Sequence, residues 1–131
     1  MTKGQDFTPL QISADLGNLE AMKTLVERGA AINNTNEYGE TALMLAAKFG
    51  KLESFRYLTD IGADINIRNA KDNNTALHYA AKLGSVDIIK LLLDKGMSVN
   101  LTNTQEFTPL HFSAQFGHLE ATKLWLKEVL L

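Results

Sequence analysis

Thr75-Ala76-Leu77-His78-Tyr79-Ala80-Ala81-Lys82-Leu83-Gly84 is the stretch that decides the fold. Thr75 is a good helix N-cap, because its hydroxyl accepts from a backbone N–H that the first turn leaves unpaired. Leu77, Ala80 and Ala81 fall on one face at helical spacing, and the alanines let a second helix come close. Gly84 stops the helix, since glycine enters the left-handed region without steric cost. A second helix is predicted from about Ser85 to Lys95, with Val86, Ile89, Leu92 and Leu93 as its buried stripe. Gly96 ends it, and Met97-Ser98-Val99-Asn100 reads as a short extended arm entering a polar turn.

The same pattern restarts four times. Thr8-Pro9-Leu10, Thr41-Ala42-Leu43, Thr75-Ala76-Leu77 and Thr108-Pro109-Leu110 stand 33, 34 and 33 residues apart. A fixed period of that length marks a stacked array. Helix-ending glycines recur at Gly17, Gly50, Gly84 and Gly117, then at Gly29, Gly62 and Gly96. Ala31-Ile32-Asn33 and Asp64-Ile65-Asn66 repeat the extended arm. Pro9 and Pro109 take the first helical position, where a missing N–H costs nothing. Helices this short are unstable alone, so each unit must bury its apolar face on its neighbours.

Thr-Pro-Leu-His at 108–111, Thr-Ala-Leu-His at 75–78, the Ala-Ala pairs 46–47 and 80–81, and Gly62-Ala63-Asp64-Ile65-Asn66 together resemble the ankyrin repeat. The resemblance runs from about Gln5 to Leu126, four times in register. It implies an all-α solenoid of helix–turn–helix units with short β-hairpin connections, divided near 5–37, 38–71, 72–104 and 105–131. It also implies a concave face, lined by hairpin tips and first helices, that binds another protein.

Departures from the pattern are informative. The family usually has glycine two residues before the threonine. Gly39 keeps it, Asn73 replaces it tolerably, and Glu106 there is expected to be strained or to remodel the turn. The extra residue of the 34-residue step lies in Ala70-Lys71-Asp72-Asn73-Asn74, as either a tolerated loop insertion or a lengthened finger that touches the partner. Val129 stands where a helix-ending glycine is expected, and Trp125, Leu126, Leu130 and Leu131 read as under-protected. Either weak self-association through this last unit or a further repeat packed on it in a longer array is therefore expected. Residues 5–26 and 105–126 are identical at 12 of 22 positions. That fits a duplicated three-repeat block and equally the shared descent of all four units.

The 131 residues carry a net charge of −2, which argues against nucleic acid as a partner. No cysteine is present, so neither a disulfide framework nor a thiolate zinc site can form. With no apolar run of spanning length, membrane insertion is not expected. The expected setting is intracellular, with the cytoplasm first and the nucleus left open. His78 and His111 occupy a position where the resemblance implies a structural hydrogen-bonding role. Gln11 and Met44 stand there in the other units, so no metal or catalytic register is kept. Ser13 and Ser113 replace small buried alanines without a nearby base, and no nucleophile–base set is visible. No catalytic residue, metal site or cofactor is expected.

Function is sought instead on the groove. The residue before each first-helix glycine forms an apolar row, Leu16, Phe49, Leu83 and Phe116, with Lys48, Lys82 and Gln115 beside it. Neighbouring helices stack roughly 8–10 Å apart, so Lys48 and Lys82 can face one acidic segment. Hairpin tips add Thr35, Glu37, Tyr38, Glu40, Arg68, Lys71, Asp72, Asn74 and Phe107, with Tyr38 and Phe107 as exposed aromatics. The function read from this pattern is non-catalytic recognition of a protein partner. The alternative is a structural or regulatory segment of a larger protein, such as an enzyme or a channel.

Overall fold

Four threonine-capped helices, each followed by an antiparallel partner, build the array. The computed structural model describes residues 7–129. Its helices are α1 (Pro9–Leu16), α2 (Leu19–Glu27), α3 (Ala42–Lys48), α4 (Leu52–Asp60), α5 (Ala76–Leu83), α6 (Val86–Asp94), α7 (Pro109–Gln115) and α8 (Leu119–Val129). Thr8, Thr41, Thr75 and Thr108 each accept a backbone N–H three residues on, from Gln11, Met44, His78 and His111. Gln11, His78 and His111 complete the exchange by accepting the N–H of their own threonine. This reciprocal cap fixes where each first helix starts.

The first helices form the spine, α3 packing on α1 and α5, and α5 on α7. Ala42–Ala47 and Ala76–Ala81 are buried on every side, since each of these helices has neighbours before, behind and outside it. The second helices bury one stripe against the spine. Phe55 and Leu58 of α4 and Ile89 and Leu92 of α6 reach zero exposure. The stripe is wider than its i, i+3 spacing suggests: Ile88 is as deeply buried as Ile89, and Val86 and Leu93 are only half-buried.

The connections differ from the hairpins implied by the resemblance. Among the described residues there is no strand. The arms expected to be extended turn sharply at Ile32-Asn33, Ile65-Asn66 and Val99-Asn100. Asp64 Oδ1 and Ser98 Oγ each accept the N–H two residues on, a local bond that competes with extended structure. The fingers are single tight loops, closed by Asn36 N–H to Glu40 O, Asn69 N–H to Asn74 O and Asn103 N–H to Phe107 O. The extra residue lies inside the second of these loops. Successive fingers are tied by Ala70 N–H to Tyr38 O and Thr104 N–H to Asp72 O, both 2.9 Å. They come so close that a Cβ on Gly39 would lie 2.5 Å from Ala70 N. Glu106 keeps the turn and takes the strain, with φ at 64°.

The last repeat is better covered than its sequence suggests. Trp125 has no exposed surface, because Ser113 replaces an alanine beneath it and accepts the indole N–H at 2.9 Å. Leu126 is exposed as expected, and Leu130 and Leu131 lie outside the described residues. Lacking a glycine stop, α8 runs through Val129.

Candidate functional site

At the root of the first finger, Glu40 is 4% exposed and holds a full set of donors. Asn36 Nδ2 donates to its Oε1 at 3.0 Å, and the Tyr79 hydroxyl donates to its Oε2 at 2.9 Å. Lys48 Nζ stands 3.4 Å from the same Oε2. Asn69 Nδ2 in turn donates to the Tyr79 oxygen at 3.1 Å. A carboxylate can be buried here because a cation and two polar hydrogens surround it. Burial, together with this carboxylate, drives the Tyr79 hydroxyl far above the ordinary tyrosine range, so it stays protonated and donates.

Above this network the first helices open a groove. One concavity of about 300 Å³ is lined by Lys48, Phe49, Tyr79, Lys82, Leu83 and Phe116. A second, of about 260 Å³, shares Lys48, Tyr79 and Lys82 and extends to Tyr38, Lys71 and Asp72 at the finger tips. The apolar row from the sequence is exposed throughout, at Leu16, Phe49, Leu83 and Phe116. The lysines lean over rings: Lys48 Nζ is 5.5 Å from the Phe49 ring centre and Lys82 Nζ is 5.6 Å from that of Phe116. Tyr38 is 48% exposed, and its hydroxyl pKa is raised by the hydrogen bond and charge of Glu37.

Several expected contact residues are engaged within the fold instead. Glu40 is buried in the network just described. Asn74, also buried, accepts from Asn103 Nδ2 at 2.9 Å through its own Oδ1. Arg68 is half-buried and braces two fingers, donating from Nη1 to Asn73 O and Thr102 O. Phe107, expected as an exposed aromatic, is half-buried and packs edge-on to Phe112 and flat on His111. Thr35, Glu37 and Gln115 are exposed but line neither concavity. Tyr79, central to both concavities, is not among the residues that the repeat register places on the groove. Its signal is a hydroxyl at a helix position where the other units carry Ile12, Leu45 and Phe112.

The histidines serve as joints. His78 Nδ1 accepts from Thr75 N–H, while Nε2 bridges to Leu101 O at 3.1 Å and Phe107 O at 3.2 Å. Burial holds its pKa below the ordinary histidine value. Gln11 reproduces this geometry in the first unit, with Nε2 donating to Asn34 O at 2.8 Å. His118 Nε2 bonds Lys82 O at 2.6 Å.

A family model described as ankyrin repeats (3 copies) matches residues 1–69 and again 68–129. The chain belongs to the ankyrin-repeat family. Its four helix pairs are four repeats of that array, each opened by a capping threonine. No curated protein matches the sequence at a significant level. Ankyrin repeats are in general protein-interaction modules without catalytic activity, and this array carries its groove on the face made by first helices and fingers. No helix among the described residues is long and apolar enough to cross a membrane.

Proposed function

We propose that this ankyrin array is a non-catalytic recognition module, which takes a segment of a partner protein combining an apolar anchor with carboxylates. The observation that carries the reading is the exposed floor of Phe49, Leu83 and Phe116, running between Lys48 and Lys82 toward Tyr38 and Lys71. Aromatic side chains exposed in a concavity are enriched at interfaces. Lys48 already answers Glu40, so Lys82 and Lys71, with no carboxylate partner among the described residues, supply the attraction for an acidic segment. The histidines support a non-catalytic role, since His78 and His118 spend ring nitrogens on backbone carbonyls.

A peptide library selected against the whole chain tests this. Enriched sequences should pair an aromatic or aliphatic residue with Asp or Glu. Phe49→Ala together with Tyr38→Ala should weaken their binding by more than about 2 kcal/mol. Lys82→Glu should slow association and lower its salt dependence. Equal affinity for the double variant, with a native circular dichroism spectrum, would remove the groove as the binding surface.

A further inference from the structure

Repeats stack here through two faces of unlike chemistry, a leading face on each repeat and a trailing face on the one before. The junction between the third and fourth repeats shows the fit. On the leading side Phe112 and Ser113 are buried, and the Ser113 hydroxyl donates to Ala81 O at 3.2 Å. His118 lies across Gly84, where a Cβ would stand 2.6 Å from its ring. On the trailing side His78 Nε2 holds Phe107 O, and Ala81 has no exposed surface.

The first and fourth repeats carry these same faces, and among the described residues nothing covers them. Pro9, Ser13, Gly17 and Ala21 on the first repeat match Pro109, Ser113, Gly117 and Ala121 at a separation of 100. The serine is shared by these two repeats alone, with Ala46 and Ala80 in the others. Ile12 stands where Phe112 is 8% exposed, yet Ile12 is 47% exposed. Ser13 turns back to donate to Leu10 O of its own helix at 2.7 Å. A concavity of about 320 Å³ opens there, floored by Pro9, Ile12, Leu16 and Leu25. At the other end His111 and Ala114 repeat His78 and Ala81. Both are exposed, and His111 makes no bond from Nε2 among the described residues. A Cβ on Gly117 would meet nothing within 4 Å.

We propose that a second copy of this chain docks head to tail, its first repeat seated on the fourth repeat of the copy before it. The occupant follows from continuity with the third–fourth junction, because the first and fourth repeats carry both halves of that junction. In the joint Ile12 takes the place of Phe112, and the Ser13 hydroxyl turns from Leu10 O to Ala114 O of the neighbouring copy. Asn18 covers Gly117 as His118 covers Gly84, and His111 Nε2 gains the Phe7 carbonyl. Two different surfaces meet, so the contact does not close on itself and chains lengthen with concentration.

Sedimentation velocity of the whole chain at concentrations up to about 1 mM tests the joint. Ile12→Arg blocks the leading face and Ala114→Arg the trailing face. Both positions are exposed in the single chain, so each variant keeps the native circular dichroism spectrum. The unsubstituted chain is expected to grow past two copies, and each variant alone to remain a single chain. An equimolar mixture of the two keeps one matched pair of faces and should reach twice the single-chain mass and no more. Phe49→Ala with Tyr38→Ala should leave growth unchanged. A single chain at every concentration would leave these faces to a repeat from a different protein and overturn the proposal. So would growth that stops at two, variants that associate like the unsubstituted chain, a mixture that stays monomeric, or growth lost in the groove variant.

Discussion

His78 is a buried joint of the array whose protonation opposes its native role. It is fully buried, and burial lowers its pKa below the ordinary 6.5. Between the lowered value and 6.5 the unfolded chain binds more protons than the folded one, so stability rises with pH across that window. The contribution is complete above 6.5 and is lost as pH falls through the folded value. His78→Gln should flatten this slope, because Gln11 makes the same bonds in the first repeat without a titrating group. Urea unfolding at pH 7.5 and at pH 5 checks it. The variant should lie within about 1 kcal/mol of the parent at the higher pH and lose less at the lower. Glu106 offers a second test at this scale. It holds φ at 64° in a turn where the first finger uses Gly39. An L-residue there costs about 1–2 kcal/mol, and glycine adds back about 0.5–1 kcal/mol of chain entropy. Glu106→Gly should therefore raise the urea midpoint, by a net gain of up to about 1.5 kcal/mol.

At the scale of elements, the helices were legible because their signals are local: a capping threonine, alanines at helical spacing, a glycine stop. The fingers were not. Asn36, Asn69 and Asn103 recur at the repeat period, but the recurrence alone does not say that each folds its loop by accepting backbone N–H groups. Tyr79 escaped for the opposite reason. Its ring satisfies the apolar spacing of α5, while its hydroxyl meets a carboxylate 39 residues earlier on another repeat. The groove row was legible from register alone, whereas the burial of Glu40 and Asn74 depends on how adjacent fingers close over them. Tyr79→Phe should cost about 1.5–3 kcal/mol, the range for a hydrogen bond to a charged group, measured by chemical denaturation. A cost near zero would mean that Lys48 and Asn36 suffice for the buried carboxylate.

Across the whole molecule the three junctions are held by different side chains. Gln11 bonds the Asn34 and Glu40 carbonyls at the first, the Glu40 carboxylate meets Tyr79 at the second, and His78, Asn103 and Ser113 serve the third. Repeat genes gain and lose units by slippage, and a uniform array would tolerate that. This one is keyed. Excising residues 76–108 removes one period cleanly and joins Thr75 to Pro109, so that Phe112 arrives where Tyr79 stood. Glu40 then faces a ring without a hydroxyl, and its buried oxygen loses a donor. The shortened protein should unfold at lower urea than its Phe112→Tyr derivative, by about 1.5–3 kcal/mol. Loss of that period is thus opposed by a single phenolic proton, and the shortened array keeps its buried carboxylate satisfied only where the tyrosine is carried over.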